Sequence, residues 1–428
     1  MRKILYLLSI CSFLFACTTH QNTTDTKDPA VVVTQSVQAR VDSALKSLVD
    51  EGRVAGVSAL IYEKNKEAYY NAFGFADREA AVPMDRNTIV RIYSMTKPVT
   101  GVALMQLHEK EAFQLDDPLE KYAPEFANMK VFVGEDPSGK PILEPVKRPI
   151  TIRDLTRHTA GFVNGDTKGG LQKIQAEVRP MNPENTLAEM AKKLGSLPLM
   201  FHPGEQWSYG LSVDVQAFLV ERLSGKPFDQ YLKENIFKPL GMSSTRYVVP
   251  ANDMKNLAAV YRRGDAGLTR IPDEESNAFN GKDWPLKPGG YGLTCTIDDY
   301  MRFARMLVNE GKLDEATILK PETIQLMTTN HLSDTIQKRM WLPSKGQVGF
   351  GIDFAVRMRP PANKEENNGV VGEFFWDGAA STLFWVDPVN EVAAVLFVQI
   401  MPFDREVHRR FREALYGKYQ PSTSTTSR

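Results

Sequence analysis

Ser94-Met95-Thr96-Lys97 places a hydroxyl and an amine three residues apart, at the start of an apolar run. On a helix, positions i and i+3 share one face, so the two side chains come within hydrogen-bonding reach. A serine hydroxyl is a weak nucleophile until a base takes its proton, and a neutral amine in contact can do that. A serine at a helix start also meets the positive end of the helix dipole, which favours developing negative charge. The chemistry on offer is attack by serine on a carbonyl. Four residues are a short pattern, however, and any capped helix start with a solvent-facing lysine satisfies it. Gly378 is the next informative position. It lies in a β-type run beside Ala379, Ala380 and Ser381, where small residues let a ligand approach backbone. Tyr209, next to Trp207, and Trp376, next to Asp377, read on their own as packing aromatics.

Other chemistries find little support. No G-x-S-x-G elbow surrounds any serine, and neither H-E-x-x-H nor H-x-x-E-H occurs. Gly289-Gly290-Tyr291-Gly292 lacks the spacing and the preceding strand of a phosphate loop. His158 follows a helix-like run, Arg153-Asp154-Leu155, and precedes Gly161, so a structural place near a helix C-terminus suits it. Lys+Arg and Asp+Glu both number 52, giving zero net charge and no basic stripe for a nucleic acid. The three cysteines, Cys11, Cys17 and Cys295, are too few for a disulfide scaffold or a cysteine-based zinc site. No cofactor or metal is called for. A small-molecule partner remains.

The elements that must position these residues can be outlined. Val37, Val41, Ala44, Leu45 and Leu48 recur at helical spacing. Val57–Tyr62 and Ala68–Gly74, joined by a polar turn, form a hairpin pattern, and Thr382–Val386 with Val392–Gln399 form a second. A last helix is expected around Glu406–Tyr416. Between these ends, helical patterns dominate, among them Thr100–Glu111, Val213–Ser224 ending at Gly225, and Asp298–Glu310 after Thr296. The expected architecture is α/β. An antiparallel sheet built from both chain ends (about 35–93 and 286–417) is flanked by helices, with an all-helical lobe (about 94–285) inserted. A cleft between two such parts suits a small ligand.

Six ordered segments carry a family resemblance. They are Arg91–Lys97; Asp116-Asp117-Pro118 with Lys121-Tyr122; Ile150–Gly161; Pro203-Gly204 with Trp207–Asp214; Gly289–Leu293 with Thr296 and Asp298–Tyr300; and Phe375–Thr382 with Trp385–Pro388. Together they resemble class C β-lactamases, penicillin-binding peptidases and, most closely, the family VIII carboxylesterases, over roughly residues 37–417. The resemblance implies Ser94 as nucleophile, with Lys97 and Tyr209 as the proton-transfer pair; which of the two is the base stays open. It also implies an oxyanion hole from the amides of Ser94 and Ala379, and substrate contacts from Trp376, Asp377, Gly378 and Leu211. Three departures favour an ester over a β-lactam. Trp376 stands where those enzymes have a cationic lysine, Asp377 would repel an anionic substrate, and Leu211 replaces an amide-bearing asparagine. β-Lactamase or D-alanyl-D-alanine peptidase activity is the alternative. A non-catalytic envelope lipoprotein that keeps the fold for binding is a second.

Residues 1–17 combine Arg2 and Lys3 with an apolar stretch too short to span a bilayer, which fits a secretory signal. Leu14-Phe15-Ala16-Cys17 resembles a bacterial lipobox, implying cleavage before Cys17 and its lipidation. The expectation is an enzyme of the bacterial cell envelope, held on a lipid bilayer through acylated Cys17 and a polar tether (18–34), with a disordered tail (418–428). Incorporation of labelled palmitate, lost in Cys17→Ser, tests this.

Overall fold

Two hairpins from opposite chain ends meet in one sheet. The computed structural model describes residues 31–165 and 167–421; residues 1–30, where the signal segment with Cys17 is expected, and residues 422–428 lie outside the described residues. The strands are β1 (Gly56–Glu63), β2 (Lys66–Asp77), β3 (Val82–Pro83), β4 (Val348–Phe350), β5 (Ala355–Arg357), β6 (Phe374–Asp377), β7 (Leu383–Asp387) and β8 (Val392–Val398). Their spatial order is β4-β5-β6-β7-β8-β1-β2-β3, and every neighbouring pair is antiparallel. The join between the two chain ends is β1 against β8, with Val57 opposite Val398 and Glu63 opposite Val392.

β8 reads Val-Ala-Ala-Val-Leu-Phe-Val and is buried throughout, because helices cover both sheet faces and no position can be polar. On β7, alternate side chains show the two layers. Phe384 packs edge-on against Tyr300 of helix α4 (Ile297–Val308) at 5.0 Å, whereas Trp385 meets Phe411 of helix α5 (Arg405–Tyr416) at 5.1 Å. Helix α1 (Gln35–Asp50), capped by Thr34, lies with α5 and buries Val37, Val41, Leu45 and Leu48. Helices α2 (Thr96–Glu109) and α3 (Ser212–Ser224) pack together beyond the sheet and carry Lys97 and Asp214. The mixed fold with a large antiparallel sheet agrees with the sequence expectation, and the paired hairpins and the terminal helix fall within a few residues of it.

One expectation is corrected. The segment from 94 to 285 is not all helical: Lys130–Glu135 pairs with Pro141–Pro145, and Tyr261–Gly264 with Gly267–Arg270. Both hairpins lie largely at the surface, so their strands carry little of the apolar alternation that marks a half-buried strand. Among the described residues, no helix is long and apolar enough to cross a membrane.

Candidate active site

Ser94 sits in a single 3-10 turn, Tyr93–Met95, that runs directly into α2. Tyr93 ahead of it has φ 45°, a left-handed conformation that a bulky residue adopts only under constraint. The strained turn puts Ser94 at the helix N-terminus, with Lys97 one turn along the same face. The Lys97 ammonium donates to Ser94 Oγ at 3.3 Å and to the Gly290 carbonyl at 2.7 Å. Gly289 and Gly290 allow this close approach. A side-chain carbon on Gly289 would sit 2.3 Å from the Val213 carbonyl oxygen; one on Gly290 would sit 3.3 Å from Lys97 Nζ and 3.1 Å from Asp214 Oδ2. Asp214 is buried and accepts the Gly290 N–H at 2.9 Å. Burial pushes its carboxyl up to about 6, while the Lys97 charge and backbone N–H groups pull the other way.

Tyr209 closes the other side of Lys97, whose ammonium lies 4.4 Å from the phenol ring centre. The Trp376 indole N–H donates to Tyr209 Oη at 3.3 Å. Trp207, Trp341 and His158 pack around the same ring, His158 at 4.8 Å. His158 is fully buried, and neither ring nitrogen has a hydrogen-bond partner among the described residues. Burial and the nearby Lys97 hold its imidazole well below its ordinary range, so it stays neutral. It follows the short helix Ile152–Thr156 with φ 57°, beyond the helix end, and so belongs to the aromatic packing rather than to a dipole contact.

After β6 the chain turns at Gly378–Ser381, with the Gly378 amide donating to Thr382 O and the Ser381 amide to Gly378 O. A side-chain carbon on Gly378 would lie 2.6 Å from the Ile92 carbonyl, so this glycine admits the nucleophile segment itself as well as any ligand. Ser94, Tyr209, Asp377, Gly378 and Ala379 border one cavity of about 320 Å³, completed by Trp341, Lys345, Phe403, Arg405 and His408. A larger cavity of about 610 Å³, lined by Lys233, Phe237 and Tyr247, includes none of these residues.

Four expectations change here. Trp376 is only 1% exposed and does not border the cavity; it packs under Tyr209, and the aromatic wall at the cavity is Trp341. Leu211 stands at the start of α3, also away from the cavity lining. The cavity is not without a cation at its Trp376 end either, since Lys345 arrives from the turn Leu342–Lys345 and pairs with Asp377. The carboxylate that would repel an anion is thereby neutralised. None of these partners was readable beforehand: Lys345, Trp341 and Phe403 come from segments without a shared motif. Asp214 stood five residues after Tyr209 with nothing to separate it from an ordinary helix-start acid.

His408 supports the turn from behind, its Nε2 donating to the Ser381 carbonyl at 2.9 Å. Burial pushes its imidazole down to about 4. In the unfolded chain the ordinary value is roughly 6.5. The neutral buried ring therefore contributes its full stability above that value, and the contribution falls away as pH drops toward 4, by about 3 kcal/mol in total. Urea unfolding at pH 7 and 4.5 should show a pH-dependent loss smaller by roughly 2 kcal/mol in His408→Gln than in the native chain. Equal losses in the two proteins would discard this role.

The arrangement matches known proteins over most of its length. The chain is 32% identical over 376 residues to an uncharacterized protein of Mycobacterium tuberculosis (strain CDC 1551 / Oshkosh), covering 84% of this chain and 89% of that one. It is 25% identical over 412 residues to lovastatin esterase of Penicillium rubens, covering 89% and 98%. The solved structure of EstCE1, described as a hydrolase with promiscuous acyltransferase activity, superposes with a TM-score of 0.74 at 26% identity, over 90% of this chain and 99% of that one. The beta-lactamase family model matches residues 41–417, and the chain belongs to that family of serine-hydrolase-type enzymes.

Proposed function

We propose that the protein hydrolyses carboxylic esters of small molecules through an acyl-enzyme on Ser94. The observation that carries this reading is the Lys97 amine group, 3.3 Å from Ser94 Oγ and 4.4 Å from the centre of the Tyr209 ring, with Ser94 and Tyr209 both bordering one cavity. Ser94 Oγ attacks the ester carbonyl and passes its proton to the deprotonated member of the Lys97–Tyr209 pair, a neutral amine or a phenolate, which returns it to the leaving alkoxide. The amides of Ser94 and Ala379 are to receive the oxyanion, a role supported by both residues bordering the cavity and by Ala379 lying in the Gly378–Ser381 turn. A donor of this kind is typically worth about 3–4 kcal/mol in the transition state. Water then repeats the sequence on the acyl-enzyme, and an alcohol in place of water gives acyl transfer.

An ester is favoured over a peptide because an alkoxide leaves more easily than an amine, so less is asked of Tyr209. The relatives named above, an esterase and a hydrolase with acyltransferase activity, support the same choice. A panel of 4-nitrophenyl butyrate, a chromogenic cephalosporin and a D-alanyl-D-alanine peptide tests it. kcat/KM should be highest on the ester, and a hundredfold advantage for either of the others would reject the assignment.

A further inference from the structure

Lys345 is an unusual lysine for a cavity wall. Its side chain and that of Asp377 are each 10% exposed and in contact. The ammonium lies 4.6 Å from the centre of the Phe403 ring, 5.3 Å from Trp341 and 5.4 Å from Trp376. These rings, contributed by three separate chain segments, fix the four-carbon stem and strip water from the charge. An ammonium carries three donors, of which Asp377 takes one. Ring faces accept only weakly, so hydrogen-bonding capacity remains on the ammonium of a residue that borders the same cavity as Ser94. Asp377 sets the resting position of that atom and so pre-organises it. Arg405, exposed at the start of α5, borders the cavity too and makes no ion pair among the described residues. The other acid on the lining, Glu365, is 78% exposed and lies 4.0 Å from Lys364.

We propose that Lys345 determines specificity by receiving a carboxylate carried by the ester away from its reacting carbonyl, with Arg405 drawing that anion to the cavity mouth. A partly desolvated ammonium held in one place makes a stronger charge-assisted bond than a mobile surface lysine, because little is reorganised on binding. The preferred substrate class is thus an ester of an acid-bearing molecule. This inference rests on the esterase reading above.

The test compares 4-nitrophenyl hexanoate with two anionic probes, mono-4-nitrophenyl adipate, acid on the acyl side, and 4-carboxyphenyl hexanoate, acid on the alcohol side. In the native enzyme, kcat/KM on at least one anionic probe should exceed that on the neutral ester, and the excess should shrink as salt is raised. Lys345→Met, which keeps the stem on the rings, should lower the anionic-to-neutral ratio by about ten- to a hundredfold, chiefly through KM. Lys345→Arg should restore most of the ratio. If the ratios for both probes stay unchanged in Lys345→Met, the anionic rates falling no further than the neutral rate does, Lys345 is a structural latch and the inference is overturned. If the native enzyme turns over none of the three esters, the esterase reading fails instead, and this inference with it.

Discussion

Ser94→Ala is expected to lower ester turnover by at least about 10⁴-fold while leaving the protein folded, the scale at which loss of a serine nucleophile is felt. Among the described residues the hydroxyl makes one polar contact, the 3.3 Å bond from Lys97, and Ser94 borders the cavity. Its removal should therefore change stability by less than about 1 kcal/mol. The strained Tyr93 turn and the apolar face of α2 do not depend on it. Steady-state kinetics beside a thermal melt checks both halves. Turnover within tenfold of the native rate would mean that another group carries the reaction.

Tyr209→Phe has the second largest expected effect, a fall in kcat of about a hundredfold or more, which is the usual size for a proton-transfer group. The ring would stay seated among Trp207, Trp341 and His158, so the loss isolates the hydroxyl. It also deprives the buried Trp376 N–H of its acceptor, at a stability cost of about 1–3 kcal/mol. Trp376→Phe removes the same hydrogen bond from the other partner while keeping the phenol. A much smaller drop in kcat there than in Tyr209→Phe would place the effect on proton transfer. Equal drops in the two variants would mean that Tyr209 acts through packing alone.

The parts of this account that the sequence made legible are those in which one chain segment holds the whole signal. The Ser94–Lys97 pair lies on one helix turn, and the two terminal hairpins and α1 each carry their own periodicity. Their buried faces repeat the pattern residue by residue, from Val37 to Leu48 and along β8. What stayed hidden depends on distant segments meeting. The cage around Lys345 joins residues 341, 376 and 403, and Asp377 then pairs with a lysine thirty-two residues earlier. Trp376 was misplaced for a related reason. On a strand, a one-residue step exchanges faces, and motif order alone did not say whether residue 376 or 377 looks into the cavity. The surface hairpin at Lys130–Pro145 escaped because it buries little and so leaves no hydrophobic trace.

The central claim is a covalent intermediate on one named oxygen. Intact-protein mass spectrometry after brief mixing with 4-nitrophenyl butyrate, followed by peptide mapping, measures it directly. A single added butyryl group on the peptide containing Ser94, absent from Ser94→Ala and decaying at the rate of turnover, is the predicted result. Turnover without such an adduct in acid-quenched samples, or an adduct on any other residue, would contradict the mechanism.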